Sequence, residues 1–279
     1  MTKNYPPFSV LMSVYKNEKP SYLDKALESI ENQSVRPSEI VLVEDGPISA
    51  ELKNVILKHQ NRIGKTFKDI SSKKNQGLGA SLRLGTNYVS TNWIARMDSD
   101  DISVANRFEL QLEEIIKQPN LAVVGGQVKE FAGNEGNIVG SRRVPTTYNE
   151  IKKFMKLRSP FNHPTVMINK EKLNKIGGYI PYGNLEDYYL WSRIISKNYL
   201  VCNLNEALVY MRVDDGMYKR RGKLSNIVFL YKLRRYMNKN YIISTKEEYI
   251  GDFLMTLIII VPNCLRKIIY TNFLHRKNK

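Results

Sequence analysis

Between Phe8 and Val128 short apolar runs alternate with stretches of helical spacing, and this alternation limits the fold more than any other feature of the chain. FSVLMSV (8–14), EIVLVEDGP (39–47), WIARMD (93–98) and LAVVGGQV (121–128) read as strands apolar enough to be buried on both faces. Between them, Leu23, Ala26, Leu27 and Ile30 share one helical face, as do Leu52, Val55 and Ile56, and Phe108, Leu112, Ile115 and Ile116. The segment after the second helix reads as a polar loop, and residues 75–89 as a glycine-rich start followed by a helix. Strand alternating with helix implies an α/β fold, a Rossmann-like and mostly parallel central sheet with helices on both faces.

Open sheets of this kind bind ligands at the carboxyl ends of their strands. That rule collects Tyr15 to Glu18, Glu44 to Gly46 and Asp98 to Asp101 along one rim. Three carboxylates within four positions (Asp98, Asp100, Asp101) repel one another, and a hard divalent cation offsets that repulsion. Mg²⁺ or Mn²⁺ is bound through one or two carboxylates together with substrate phosphates. The bland alternative is an acidic helix start capped by Asp101 or Ser103. Asp45, at the neighbouring strand end, could accept from the N–H of a uracil ring. Asn75 and Gly77, in NQGLGAS, offer backbone N–H groups near a helix start, a setting suited to phosphate.

The second half is less regular. SPFNHPTVMI (159–168) reads as a loop entering a strand, and ALVYMRV (207–213) as a late strand. Glu186 and Asp187 open a helix whose apolar face carries Leu190, Trp191 and Ile194. The pair is either an ordinary acidic first turn or holds a general base for a substrate hydroxyl.

The formal net charge is +16, but it is unevenly spread. Residues 216–279 hold 14 Lys/Arg against 3 Asp/Glu, a net of +11, and residues 1–215 hold 29 against 24, a net of +5. A nucleic-acid binder needs a basic stripe across its body, so the charge argues little for one here. A nucleotidyltransferase, the other alternative, also uses a metal on an α/β rim, but Tyr15-Lys16-Asn17-Glu18 is a poor version of its first loop.

Taken together and in order, SVLMSVYKNE (9–18), EIVLVEDGP, NQGLGASLRLG (75–85), ARMDSDD (95–101), GGY (177–179) and LEDYYLW (185–191) resemble glycosyltransferase family 2 enzymes of the GT-A fold. Within that family, NHPTVM (162–167) and YMRVDDGMYKRRG (210–222) are similar to bacterial exopolysaccharide, capsule and O-antigen transferases of the amylovoran-biosynthesis type. The resemblance implies inverting transfer of one sugar, a hexose from a UDP-sugar with galactose or glucose favoured, to a hydroxyl of a lipid-linked or oligosaccharide acceptor. It implies that Val14, Tyr15 and Glu18 hold base and ribose, that Asp45 contacts the base, and that Asn75 and Gly77 lie near the donor. It further implies Asp98 beside ribose and metal, Asp100 as ligand of Mn²⁺ or Mg²⁺, and Asp187 as catalytic base. Glu186, Trp191 and His163 are acceptor-side candidates, and Arg212 or Arg220, in a basic loop that also holds Lys219 and Arg221, could neutralise the leaving diphosphate. The chain departs from the pattern at Leu82, where many relatives carry Arg, which leaves neighbouring Arg83 as a donor-side candidate, and at Ala105, where Pro is common. The Gln-x-x-Arg-Trp motif of processive synthases is absent, which implies a non-processive enzyme.

The expected organisation is a nucleotide-sugar-binding half over 1–110, an acceptor-binding half over 111–215, and a basic, amphipathic helical C-terminal extension over 216–279. FLMTLIIIVP (253–262) is too short to span a bilayer. With the basic residues around it, it suits docking on the anionic inner face of the cell membrane. The spacing of Cys202 and Cys264 fits neither a metal site nor a disulfide framework, and MTKNYPPFSV has no apolar signal segment, so the expected location is cytoplasmic.

Overall fold

The computed structural model describes residues 4–213 and 225–260. The four expected strands are present as β1 (Phe8–Val14), β2 (Glu39–Glu44), β4 (Trp93–Asp98) and β6 (Leu121–Phe131). Helices α1 (Pro20–Glu31), α2 (Ala50–Ile63), α3 (Leu78–Thr86) and α4 (Arg107–Lys117) stand between and after them. In α1 the side chains at helical spacing, Leu23, Ala26, Leu27 and Ile30, are the buried ones. The polar stretch after α2 is not a loop throughout: β3 (Phe67–Ser71) pairs with β2 at the sheet edge. Only Phe67 of β3 is buried, so it lacks the apolar run by which an internal strand is recognised.

The remaining strands are β5 (Ile102–Ser103), β7 (Ile138–Arg142), β8 (Met167–Asn169) and β9 (Leu200–Arg212). They join one sheet of order β3-β2-β1-β4-β8-β6-β9-β5, with β7 on β6. Strands β1 to β4 pair in parallel, as do β6 and β9, while β8 runs antiparallel between β4 and β6. The single sheet crosses the expected division at 110/111, and residue 110 lies inside α4.

Alternate residues of each strand serve opposite faces. Val10, Met12 and Val14 of β1 join Trp93, Ala95 and Met97 of β4 in a core closed by α1, α2 and α4. On the other face Leu11, Val41, Val43 and Ile94 meet α3, α5 (Tyr148–Phe154) and α7 (Glu186–Ser196). α6 (Lys170–Lys175) follows β8. α8 (Ser225–Lys239) and α9 (Thr245–Ile260) form a hairpin beside α7. In-register pairs Val14↔Glu44 and Ser13↔Asp98 bring the ends of β1, β2 and β4 level, which makes the rim.

Candidate active site

At the end of β1, the Val14 carbonyl accepts from the Asp45 N–H at 2.8 Å, and Glu18 N–H closes a turn onto Tyr15 carbonyl at 3.0 Å. Tyr15 is exposed at the mouth, as a residue that stacks on a ligand would be. Glu18 reaches across the rim: its Oε2 accepts from Ser99 Oγ at 2.6 Å. The first and third strand ends are thereby tied together.

The second strand end is tied to the glycine-rich loop. Asp45 is buried and accepts from Gln76 N–H at 2.7 Å and Gly77 N–H at 2.9 Å, and Asn75 Nδ2 donates to the Asp45 carbonyl at 3.1 Å. The Gly77 N–H is therefore engaged within the protein. Gly46 has φ +84°, and a Cβ there would lie 2.5 Å from Asn75 N, so this loop approaches only a glycine. A Cβ at Gly79 would lie 3.4 Å from Cβ of Glu186, so the start of α3 abuts the start of α7. Arg83 is exposed six residues past Gly77, about 9 Å along the axis at helical rise, in the last turn of α3.

At the third strand end, single carboxylate oxygens of Asp98, Asp100 and Asp101 all lie within 4.8 Å of one another. Neither Asp101 nor Ser103 caps the following helix, which starts at Arg107 after Asn106. Asp101 is buried instead, and its Oδ1 accepts from Arg212 N–H at 2.8 Å. Burial and the charges of Asp100 and Asp98 raise its pKa well above the carboxylate range. Burial, with Asp98 and Glu18 nearby, pushes Asp100 up to about 7. Such crowding is what a divalent cation relieves. With Asp101 engaged by Arg212, Asp98 and Asp100 are the carboxylates that could hold one, a donor set Mg²⁺ or Mn²⁺ takes beside phosphate.

Arg212 was expected to face a leaving diphosphate; the structure uses it otherwise. Its guanidinium lies 3.6 Å from the Tyr22 ring centroid and 4.5 Å from that of Phe131. It donates to the carbonyls of Asp100 at 3.2 Å and Gly133 at 3.0 Å. Arg212 staples the acidic turn from behind. Arg220, with Lys219 and Arg221, lies outside the described residues.

Across the crevice, α7 presents Glu186 and Asp187 from its first turn. Burial and the Asp187 charge push Glu186 up to about 7, and its Oε2 has no partner among the described residues. Burial also raises Asp187, against the N–H of Tyr188 and a 3.1 Å bond from Ser159 Oγ. Trp191, one turn further along α7, is not open to an acceptor: it is fully buried with its ring centroid 4.9 Å from that of Phe161. His163 is also buried, with Nε2 3.3 Å from Tyr179 Oη, and burial holds its pKa well below the usual value. It is a neutral wall group.

Arg96 is a residue of the site that the sequence reading did not name. It sits in β4 on the α7 face, is buried, and pairs through Nη2 with Asp98. Its charge lowers the pKa of Asp100, Asp101, Glu186 and Asp187, so it serves both acidic groups as a shared counter-ion. The signal was present: a lone arginine inside an otherwise apolar strand has to be paired if it is buried. Behind it, buried Arg107 donates to the Arg96 carbonyl at 2.7 Å and holds that strand end in place.

Comparison with known proteins adds the following. Residues 9–177 match the sequence model of Glycosyl transferase family 2. Over 276 residues the chain is 33% identical to the Escherichia coli UDP-Gal:alpha-D-GlcNAc-diphosphoundecaprenol beta-1,3-galactosyltransferase, covering 99% of each chain. Over 230 residues it is 38% identical to the amylovoran biosynthesis glycosyltransferase AmsE of Erwinia amylovora, covering 81% of this chain and 85% of that one. Among solved structures, the mannosyltransferase PcManGT from Pyrobaculum calidifontis in complex with GDP-Man and Mn²⁺ superposes with TM-score 0.63 at 13% identity, over 95% of this chain and 79% of that one. That likeness speaks for the fold, which is GT-A.

Proposed function

Because the chain belongs to glycosyl transferase family 2, we propose that it moves one hexose, galactose or glucose, from a UDP-sugar to a hydroxyl of a lipid-linked or oligosaccharide acceptor, with inversion and without processivity. The setting is bacterial surface polysaccharide synthesis at the inner face of the membrane. Membership sets aside the nucleotidyltransferase and nucleic-acid-binding readings. The observation that carries the proposal is the meeting of two acidic groups of different character, Asp98–Asp100 on β4 and Glu186–Asp187 on α7, around one buried arginine. The name of the Escherichia coli relative, similar over its full length, supports the choice of UDP-galactose and a lipid diphosphate acceptor.

In this reading Val14, Tyr15 and Glu18 flank the nucleoside, and Asp45 both pins the glycine-rich loop and offers its remaining lone pairs to the base. Asp98 lies on the ribose side, and Asp100 with Asp98 holds Mn²⁺ or Mg²⁺. A bound ion would supply positive charge to the departing diphosphate. Asp187 takes the proton of the acceptor hydroxyl as its oxygen bonds to the anomeric carbon. The bond from that carbon to the diphosphate oxygen breaks with its electron pair leaving on the nucleotide. Attack opposite the leaving group inverts the centre. Glu186 orients the acceptor, and Arg96 holds Asp98 toward the ion while lending positive charge to Asp187.

The test is a panel of UDP-galactose, UDP-glucose, UDP-N-acetyl sugars and GDP-mannose, with and without Mn²⁺, reading binding and slow donor hydrolysis. Mn²⁺-dependent binding and hydrolysis confined to a UDP-hexose is the expected result. A preference for GDP-mannose, or hydrolysis indifferent to metal, overturns the donor and metal assignments.

A further inference from the structure

A surface helix ordinarily turns its apolar side inward. In α9 the arrangement is reversed. Its acidic residues are all turned inward and paired: Glu247 with Lys156 Nζ of the body at 2.8 Å, and, on α8, Asp252 with Arg234 Nε at 3.1 Å and Glu248 with Asn238. Buried Gly251 lies directly over the Arg234 guanidinium, where any Cβ would collide. The outward stripe is Tyr249, Ile250, Phe253, Leu254 and Leu257, each between 45% and 71% exposed. Their spacing of one, three, one and three residues keeps them on one helical face.

Beside this stripe α8 exposes Val228, Tyr231, Lys232, Arg235 and Lys239, and Tyr231 Oη lies 2.8 Å from Thr256 Oγ1, which joins the two faces. The hairpin thus shows a large apolar stripe flanked by three cations, of which Arg235 lies 3.9 Å from Glu248 Oε1 while its side chain stays 87% exposed, with each carboxylate of α9 in an ion pair or hydrogen bond to the body or α8. Residues 261–279 continue the theme in sequence, with five Lys/Arg, no Asp or Glu, and Ile268, Ile269, Phe273 and Leu274 among them. No described helix is long and apolar enough to cross a membrane.

We infer that the outward face of the α8–α9 hairpin docks on an anionic lipid bilayer, the apolar side chains entering the acyl boundary and Lys232, Arg235 and Lys239 meeting the headgroups. A lipid surface fits because it accepts a wide, featureless apolar stripe and supplies negative charge along its border. The placement has a consequence for the acceptor, which rests on the proposed lipid-linked substrate. α8 packs on α7 through Tyr236 against Tyr189 and on the loop before α7 through Phe229 against Tyr182, each pair 5.3 Å apart. Phe229 also crowds Gly183, three residues before Glu186. Docking here sets the Glu186–Asp187 side of the crevice next to the bilayer, where the hydroxyl of a lipid-anchored acceptor arrives.

The experiment uses the full chain and vesicles, without donor: sedimentation with phosphatidylglycerol–phosphatidylethanolamine vesicles against pure phosphatidylcholine. The wild type is expected to bind the anionic vesicles, and Phe253→Glu with Leu254→Glu to bind at least about tenfold more weakly. Lys232→Glu with Arg235→Glu should weaken binding by a smaller, salt-sensitive factor. Phe253→Trp reports directly, by a blue shift on adding anionic vesicles. Slow donor hydrolysis should be unchanged in all these variants. A wild type that ignores anionic vesicles overturns the inference, as does a double-glutamate variant that binds as well as wild type. A wild-type dimer that the double variant turns monomeric, with vesicle binding unaltered, assigns the face to a second copy and also overturns it. Hydrolysis and sedimentation are separate readouts: lost hydrolysis with intact binding counts against the enzymatic reading alone.

Discussion

The Asp98–Asp101 turn and the Glu186–Asp187 pair face the same crevice but are held by different means. The turn is tied on every side: Ser99 to Glu18, Asp98 to Arg96, Asp101 to the Arg212 N–H, and the Asp100 carbonyl to the Arg212 guanidinium. The pair on α7 has Ser159 as its one side-chain donor, on Asp187, and an unpartnered Glu186 Oε2 among the described residues. The contrast fits the proposed roles. Two carboxylates that hold a cation must keep a fixed separation, which a braced backbone gives, and a carboxylate that takes a proton must be dry and lightly bonded, because each donor it accepts from lowers its basicity.

The largest test of this contrast is Asp187→Asn. It should lower kcat by about 10³-fold with donor affinity kept, as loss of a general base does; transfer at wild-type rate would end the assignment. Arg212→Ala attacks the bracing instead. With no contact to the crevice carboxylates other than through backbone, it should weaken Mn²⁺ binding by about tenfold. Electron paramagnetic resonance of Mn²⁺ in the presence of UDP reads this, and unchanged affinity would mean that the staple is not what sets the turn.

Glu186→Gln asks whether the pair is strained. Burial holds the folded Glu186 pKa up at about 7, above its unfolded value, so the wild-type group is neutral and tolerated at low pH. Its contribution is lost as pH rises through about 7, where the ionised carboxylate is left buried. Metal-free Glu186→Gln should therefore gain on the order of 1–3 kcal/mol over wild type at pH 8 and little at pH 5, by thermal melting. The smallest effect is expected of Ser159→Ala. Loss of a donor that lowers the Asp187 pKa should move the acid limb of the rate profile upward. A downward shift would reverse the electrostatic account.

Much of the fold was legible because it is local. The apolar runs that became β1, β2, β4 and β6 need only be buried on both faces, and α1 buries the four positions that helical spacing picks out. The edge strand β3 was not, since its partners are supplied by β2 rather than by its own composition. The rim was legible too, because a parallel sheet sends its strand ends, and hence Tyr15, Asp45 and Asp98, to one side.

Residue positions divided on the same line. That Asp45, Asp98 and Asp187 stand at element ends, with Asp100 just beyond, could be read in advance because it follows from chain order; the roles proposed for them rest on the family resemblance. That Arg212 braces from behind, that Trp191 is core, and that α9 shows its apolar side outward depended on partners distant in sequence: Tyr22 and Phe131, Phe161, Arg234. Arg96 marks the boundary most clearly. Its oddity in WIARMD is plain in the sequence, but a buried charge takes its meaning from what surrounds it. Only the packing of α7 onto the sheet brought Glu186 and Asp187 within reach of its charge, alongside its strand neighbour Asp98.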